Sequence, residues 1–333
     1  MTDDAPFTGF SQRWSDFPDY ILGITQEIWE GRGIATLHDY YAKDVVMRFP
    51  NAIVTGNDAV MAGTMATIAE FPDRQLFGED VIWSGDAETG YLSSHRIVTT
   101  GTHLHDGAFG PATGRSFQIR VIADCAAKNN TIYDEWLIRD YSGIALQLGL
   151  DPKEIARQSI EDEGGPDQCI RPFTPDQDID GGYHGTGNDN EWGERYADIL
   201  TRIMDLDFAV IDEAYDRAVI SELPGARTEL GREQIGRFWL SLRSSFPKAE
   251  FRIHHQIGRD DPMMPPRAAL RWSLTGKHDG WGAFGKPTGA QVHIMGLSHA
   301  EFGPFGSNGA GVRREYVLND DISIWKQILM QSA

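Results

Sequence analysis

The chain has 333 residues, 41% of them hydrophobic and 11% aromatic, which is the usual size of two domains that each bury a core. The formal net charge of −19 disfavours nucleic acid and anionic membranes as partners, because both are negatively charged. The two cysteines, Cys125 and Cys169, form neither a metal-ligand spacing nor a disulfide framework.

The N-terminal segment MTDDAPFTGFSQRW lacks the basic and apolar regions of a secretion signal. No apolar run approaches the roughly 18 residues that a membrane helix needs. We therefore expect a cytoplasmic protein with no membrane partner.

Three helices are predicted in the first part of the chain. The first begins near Asp16, an N-cap residue followed by Pro18, and has an apolar stripe at helical spacing. A short helix through Leu37 and Tyr41 follows it. The third begins at Asn57 and ends before a proline, which disfavours helix in the residue preceding it.

The hydrophobic period then changes to two, which predicts strands at VIWS, YLSSHRIVTTGTH, SFQIRVIADCA and TIYDEWLIRD. Residues 162–193 are rich in Gly, Pro and Asp and show no periodicity. This composition is typical of a linker, or of a segment that lies across a domain surface. Beyond it, helices around Tyr196 and Ile235 and strands at RAALRWSLTGKH and AQVHIMGLSHAEF repeat the order of the first half.

The second half is a copy of the first. Residues 101–114 read GTHLHDGAFGPATG, and residues 276–289, 175 positions later, read GKHDGWGAFGKPTG. Other pairs at this offset are Gly56 and Gly231, Arg96 and Arg271, and His103 and His278. A register held this long indicates duplication. We predict a first domain at 1–155, a linker at 156–192 and a second, divergent domain at 193–333, each an α+β fold of three helices on a curved antiparallel sheet.

GTHLHDGAFGPATG resembles the G-T-H-x-G-x-F-x-G-x-P-P-T-G pattern of SnoaL-like proteins, the polyketide-cyclase branch of the NTF2-like superfamily. The segment TIYDEWLIRDYSGIALQLG is similar to the motif I-x-E-x-W…D…Q-L-G at the C-terminal end of sequences of that family. The matching positions are Ile132, Asp134 or Glu135, Trp136, Asp140, and Gln147 with the Leu-Gly that follows. The resemblance covers about residues 18–150 and returns more weakly over about 194–330. It implies two tandem cone-shaped α+β barrels paired through their sheets as a pseudo-dimer, and it leaves further homo-oligomerisation open.

The resemblance also implies a chemistry. Cyclases of this family close a ring by intramolecular aldol condensation without a metal or cofactor, and a cavity aspartate transfers the proton. The implied partner is a small hydrophobic or aromatic polyketide-like substrate. Alternatives are another cavity enzyme of the fold, such as an isomerase or an epoxide hydrolase, and a non-catalytic small-molecule binding protein.

The resemblance places the catalytic aspartate at Asp124, in the third long strand. Its apolar neighbours would raise its pKa and suit it to general acid/base work. The alternative is that Asp124 points outward at a strand edge. Strand alternation puts Gln118 and Arg120 on the same face, which predicts that they bind substrate. Arg120 has the alternative role of an ion-pair partner within the sheet.

Two histidines of the second long strand, His95 and His103, are predicted to assist proton transfer. For His103 the alternative is a hydrogen bond that anchors the turn, which its counterpart His278 favours. Only His103 and His105, about 7 Å apart on a strand, could share an ion, so we expect no metal.

The second domain departs from the family where chemistry is expected. His299 occupies the position of Asp124, and Glu301 would orient it as a base. His293 and His278 are further candidates. The sequence favours the alternative that this domain is a pseudo-subunit retained for sheet pairing. Four aromatic residues of the first domain are expected to line its pocket or to form ordinary core: Trp29, Tyr41, Trp83 and Trp136.

Overall fold

The computed structural model describes residues 7–306 and 309–332, so the ends of the predicted domains at residues 1 and 333 lie outside it. Each half of the described chain builds one six-stranded sheet. The first sheet has the order β2-β1-β6-β5-β4-β3 and the second the order β8-β7-β12-β11-β10-β9. The identical order confirms the predicted pair of α+β domains.

The strands of the first sheet are β1 Tyr41–Phe49, β2 Ala52–Thr55, β3 Gln75–Asp86, β4 Gly90–Thr102, β5 Ser116–Lys128 and β6 Thr131–Arg139. Those of the second sheet are β7 Tyr215–Leu223, β8 Arg227–Leu230, β9 Glu250–Arg259, β10 Arg267–Lys277, β11 Gln291–Gly303 and β12 Gly311–Leu318. In both sheets the long strands run antiparallel, whereas β1 and β7 pair in parallel with β6 and β12.

The α-helices of the first half are α1 Phe17–Thr25, α2 Leu37–Tyr40, α3 Asn57–Glu70, α4 Tyr141–Leu148 and α5 Pro152–Asp162. Those of the second half are α6 Glu191–Met204, α7 Val210–Ala214, α8 Arg232–Ser245 and α9 Asp321–Met330. The Asp16 carboxylate accepts from the backbone N–H of Asp19 and caps α1 as predicted. Gly56 and Gly231, with φ of +85° and +86°, precede α3 and α8, so both copies retain glycine where a side chain would be strained.

The sequence analysis missed two strands of each sheet, β1 and β2 in the first and β7 and β8 in the second. It assigned Tyr41 to a helix, but α2 ends at Tyr40 and Tyr41 begins β1. A helix of four residues leaves too short a periodic pattern to show where it ends. The following run has four consecutive buried residues, Val-Val-Met-Arg, which suits a strand covered on both faces.

The outer faces of the two sheets pack against each other. Ile122 and Ile138 of the first sheet share a buried cluster with Leu297 and Leu318 of the second. Helices α1, α3, α6 and α8 cover the opposite face of their sheets, so the central strands of both domains are buried on both sides.

The linker lies across the domains. The backbone N–H of Phe173 donates to the carbonyl of Pro50 over 3.0 Å. The ring of Tyr183 packs against Trp136, and its hydroxyl is hydrogen-bonded to Nε2 of His255 in β9 over 2.8 Å. This placement resolves the alternative that the sequence left open in favour of a segment bound to the surface.

No helix in the described part of the chain combines the length and apolarity needed to cross a membrane.

Candidate active site

The first domain contains a cavity of about 240 Å³ between the concave face of its sheet and helices α1 and α3. Its walls are mainly aliphatic and aromatic, and a few polar groups converge on it. The polar and ionisable residues that line it include Thr64, Arg74, His95, Cys125, Glu135 and Arg139. An apolar pocket with few convergent polar groups is the usual form of a small-molecule site.

Strand register fixes where the polar groups stand. Glu135 of β6 lies beside Cys125 of β5 and Met47 of β1. One step along the same face, Leu137 lies beside Ala123, which pairs with His95 of β4. Glu135 and His95 therefore stand on opposite sides of the cavity floor, with Cα atoms about 12 Å apart, two strand spacings across and two residues along the strands.

Glu135 is the acid of the cavity. Burial raises the pKa of Glu135 to about 7, although hydrogen bonding with Cys125 and Tyr41 and the charge of Arg139 oppose that shift. Its Oε2 atom is buried and has no hydrogen-bond partner among the described residues. A carboxyl group that titrates near neutrality, with a free oxygen, can both accept and return a proton.

The neighbouring groups stay neutral at pH 7. Burial lowers the pKa of His95 to about 4, and its Nδ1 lies 3.2 Å from Ser93 Oγ. Burial likewise raises the pKa of Tyr41 and of Cys125 well above their ordinary values. A neutral imidazole, phenol and thiol can donate hydrogen bonds to a carbonyl oxygen without adding charge to the cavity.

The second domain has the same acid but no matching space around it. Glu315 occupies the place of Glu135, and its two oxygens accept from Tyr196 at 3.0 Å, Tyr215 at 2.7 Å and Ser221 at 3.1 Å. Tyr196 and Tyr215 correspond to Tyr20 and Tyr41, but Ser221 corresponds to Met47. Glu135 therefore lacks the third hydroxyl that satisfies Glu315.

Two tryptophans fill the second domain where the first is hollow. The fully buried Trp239 of α8 corresponds to Thr64, and the fully buried Trp272 of β10 corresponds to Ile97. Trp272 fits because Gly296 lies beside it, where a Cβ atom would approach the indole to 2.1 Å. The second domain is thus plugged by its own side chains.

A family model for SnoaL-like polyketide cyclases matches residues 20–148, and one for SnoaL-like domains matches residues 194–304. The chain is a tandem of two SnoaL-like domains. No protein in the set of curated sequences matches the chain significantly.

Solved structures resemble one SnoaL-like domain of the chain. IdmH from Streptomyces antibioticus, a candidate polyketide cyclase, is 25% identical with a TM-score of 0.35, over 40% of this chain and 98% of that chain. AclR from Streptomyces galilaeus, a candidate hydroxylase, is 15% identical with a TM-score of 0.35, over 40% and 94%. TsrD from Streptomyces laurentii is 20% identical with a TM-score of 0.34, over 40% and 93%.

The structure places Asp124 outside the cavity of the first SnoaL-like domain, so the expectation that it lines the pocket is wrong. Its carboxylate lies between the sheets, where Oδ2 accepts from Arg271 Nη1 over 3.3 Å and Oδ1 has no partner among the described residues. Desolvation raises its pKa and the charge of Arg271 opposes that. The apolar neighbours of Asp124 did not indicate its direction, because a strand buried on both faces is apolar on both.

Gln118 and Arg120 share the outward face of β5 with Asp124, as alternation requires. The backbone of Gln118 exchanges hydrogen bonds with the side chain of Gln147 in α4. Arg120 forms ion pairs at 2.9 Å with Glu79 and with Glu222 of the second SnoaL-like domain. Neither residue reaches the cavity, and Arg120 takes the alternative role of an ion-pair partner.

Of the predicted histidines, His95 lines the cavity and His103 does not. His103 lies in the turn after β4, with Nδ1 3.3 Å from Thr113 Oγ1 and Nε2 3.3 Å from Glu70 Oε1. His278 repeats the contact with Thr288 at 3.2 Å. Both histidines therefore anchor the same turn in the two SnoaL-like domains.

The aromatic residues divide in the same way. Trp29 and Tyr41 line the cavity. Trp83 packs against Phe17 and beneath Arg259, and Trp136 lies between the guanidinium groups of Arg48 and Arg271 at 4.4 and 3.5 Å. The last two thus belong to the core and to the domain contact.

The other second-domain candidates face the first domain or the linker. His299 bonds Ser94 Oγ at 2.8 Å and Arg96 at 3.1 Å. Glu301 accepts from the same Arg96 at 3.1 Å. His293 bonds Thr275 at 2.7 Å beside the ring of Phe173. Within residues 7–306 and 309–332, no group of three or more His, Cys, Asp or Glu is arranged to hold a metal ion.

Proposed function

We propose that the first SnoaL-like domain is a proton-transfer enzyme acting on a small carbonyl compound, with Glu135 as its general acid/base. The observation that carries this proposal is the buried carboxyl with a free Oε2 and a pKa near 7 on the floor of an apolar cavity. A base is most effective when its pKa lies near the working pH. In this proposal Glu135 has the general acid/base role that the family resemblance suggested for Asp124.

The reaction class that we propose is aldol cyclisation of a polyketide-like substrate, which the family supports. Glu135 removes a proton from the carbon next to a carbonyl, and the C–H electron pair forms an enolate. The enolate carbon attacks a second carbonyl carbon of the same molecule, forming a C–C bond and an alkoxide. The alkoxide takes the proton back from Glu135, so the product is an isomer of the substrate. His95 would hydrogen-bond the enolate oxygen, while Tyr41 holds Glu135 in place.

The second candidate is small-molecule binding without turnover. Glu315 favours it, because that acid persists in a plugged domain where three hydroxyl groups satisfy it. A buried glutamate held by tyrosines can therefore serve the fold alone. The two candidates differ in whether Glu135 exchanges protons with a bound ligand.

Proton exchange tests this directly with 2-tetralone, an enolisable bicyclic ketone. In D2O, NMR should show enzyme-dependent loss of the signal of the protons beside the carbonyl. The rate should rise with pH as Glu135 loses its proton, reach half its maximum near pH 7, and level off above it, because the ionised form is the base. His95 does not contribute to this profile, since its pKa lies near 4. A rate no faster than that of buffer at every pH would favour the binding protein.

A further inference from the structure

Two arginines line the cavity without a carboxylate partner among the described residues. Arg74, in the loop between α3 and β3, is buried, and its Nε donates to Thr99 Oγ1 over 3.0 Å. Arg139, at the end of β6, donates from Nη1 to the Tyr141 hydroxyl over 3.1 Å and lies over the ring of Phe49. Its Nε is buried with no hydrogen-bond partner among the described residues.

Most buried arginines outside the cavity pair with carboxylates in the described part of the chain. Four of them pair with carboxylates between the domains or with the linker: Arg48 with Asp134 and Asp178, Arg96 with Glu79 and Glu301, Arg267 with Asp80 and Asp261, and Arg271 with Asp124. Arg243 instead donates to the backbone carbonyls of Met204 and Phe246. Arg74 and Arg139 differ from those four arginines, because their side-chain hydrogen-bond partners among the described residues are hydroxyl groups.

The two guanidinium groups also repel each other. Burial and the nearby charge of Arg139 lower the pKa of Arg74 to about 9, with a smaller contribution from Arg32. Burying like charges side by side costs free energy unless an anion joins them. The arrangement is therefore one that a bound anion would stabilise.

The second domain provides an internal comparison. The residue that corresponds to Arg74 is Ala249, and the residue that corresponds to Arg139, one before the N-cap aspartate of the next helix, is Asn319. Both cations are thus missing from the domain whose cavity is plugged, although the buried glutamate is retained. The arginines accompany the cavity, as ligand-binding groups would.

The separation of the polar groups sets the size of the ligand. Glu135, Leu137 and Arg139 follow one another along the same face of β6, so the acid and the arginine have Cα atoms about 13 Å apart. Leu137 and Ala123 lie between them, and Val121 and Ile97 line the row beside Arg139, so the wall on this side is apolar. An apolar cavity of about 150 Å³ accepts benzene, so one of about 240 Å³ suits one or two fused rings.

We propose that the ligand of this cavity is a compact ring compound bearing a carboxylate, which Arg74 and Arg139 hold while its opposite end faces Glu135. This deepens the proposed function and rests on it for the identity of the reacting end. Arginine suits the role because its planar fork matches the two oxygens of a carboxylate.

Calorimetric titration with 2-naphthoate and the neutral, similarly shaped 2-naphthamide tests the proposal. We expect the acid to bind the native chain at least about 10-fold more tightly than the amide, because only the acid forms charge-assisted hydrogen bonds in which both partners are ionised. Arg74→Ala and Arg139→Asn, the residues that the second domain carries, should each remove most of this preference while leaving the amide unaffected. Arg139→Lys, which keeps the charge but not the fork, should keep part of it.

Thermal unfolding establishes that each variant is folded. Equal binding of acid and amide, no saturable binding of the acid at millimolar concentration, or a preference that survives both arginine replacements would overturn the carboxylate assignment. Glu135→Gln separates the two proposals, because it should retain the preference for the acid. If the native chain shows no preference for 2-naphthoate over 2-naphthamide but exchanges 2-tetralone, only the carboxylate assignment is rejected. If it prefers 2-naphthoate but does not exchange 2-tetralone, the carboxylate assignment is supported and the proposed proton transfer is rejected.

Discussion

Replacing Glu135 with glutamine should lower the enzyme-dependent exchange of 2-tetralone by about 10²–10⁴-fold, the usual contribution of a positioned acid/base group. Glutamine preserves the size of the side chain and its contacts with Tyr41 and Cys125, but it cannot accept a proton at neutral pH. The remaining rate should be independent of pH between 5 and 9, about the range over which the glutamate titrates. The measurement is the initial exchange rate by NMR at equal concentrations of folded protein.

The matched control is Glu315→Gln in the plugged domain. It makes the same chemical change at the corresponding position, where no cavity adjoins the acid, so the exchange rate should stay at the native value. Its cost should appear only in stability, because three hydroxyl groups lose a charged acceptor. Equal loss of exchange in the two variants would mean that the effect at Glu135 is structural.

Replacing Asp124 with asparagine should reduce the free energy of unfolding by about 3–5 kcal/mol and leave tetralone exchange intact at temperatures where the protein is folded. The change removes the partner of Arg271, whose guanidinium remains buried between the sheets. Burial already works against both charges, since it raises the pKa of Asp124 and lowers that of Arg271. Denaturant unfolding measures the stability.

The control for Asp124 is the double variant Asp124→Leu with Arg271→Met. Removing both charges together should restore much of the stability that the single change loses, because an apolar pair needs no desolvation. If Asp124→Asn instead abolishes exchange and leaves stability unchanged, Asp124 is the acid/base group, as the sequence first indicated.

Repetition made the fold predictable. The duplication could be predicted from the matching glycines before α3 and α8 and from the repeated His–Thr turn. The long strands could be predicted from their alternating apolar residues. What the sequence could not provide was β1 and β7, whose partners β6 and β12 lie about ninety residues away. Pairing over such a separation leaves no local pattern at either strand.

The site was harder to predict because the strands are buried on both faces. Alternation correctly grouped Asp124 with Arg120, but it could not say which face held the cavity. The sequence did contain a pattern that indicates Glu135, because each half has a matching tyrosine and glutamate: Tyr41 with Glu135, and Tyr215 with Glu315. The fixed offset of 175 hid that pair, because the glycine-rich insertion before β12 moves Glu315 five positions further along.

The central claim is that the chemistry takes place in the cavity of the first domain. The most direct test is to fill that cavity with a tryptophan, as in the second domain. Thr64→Trp gives α3 the residue that α8 carries at Trp239, and the cavity has room for an indole. Tetralone exchange should fall to the rate of buffer and 2-naphthoate binding should disappear, with the unfolding temperature of the native protein or higher. A folded Thr64→Trp protein that exchanges 2-tetralone at the native rate would contradict the account.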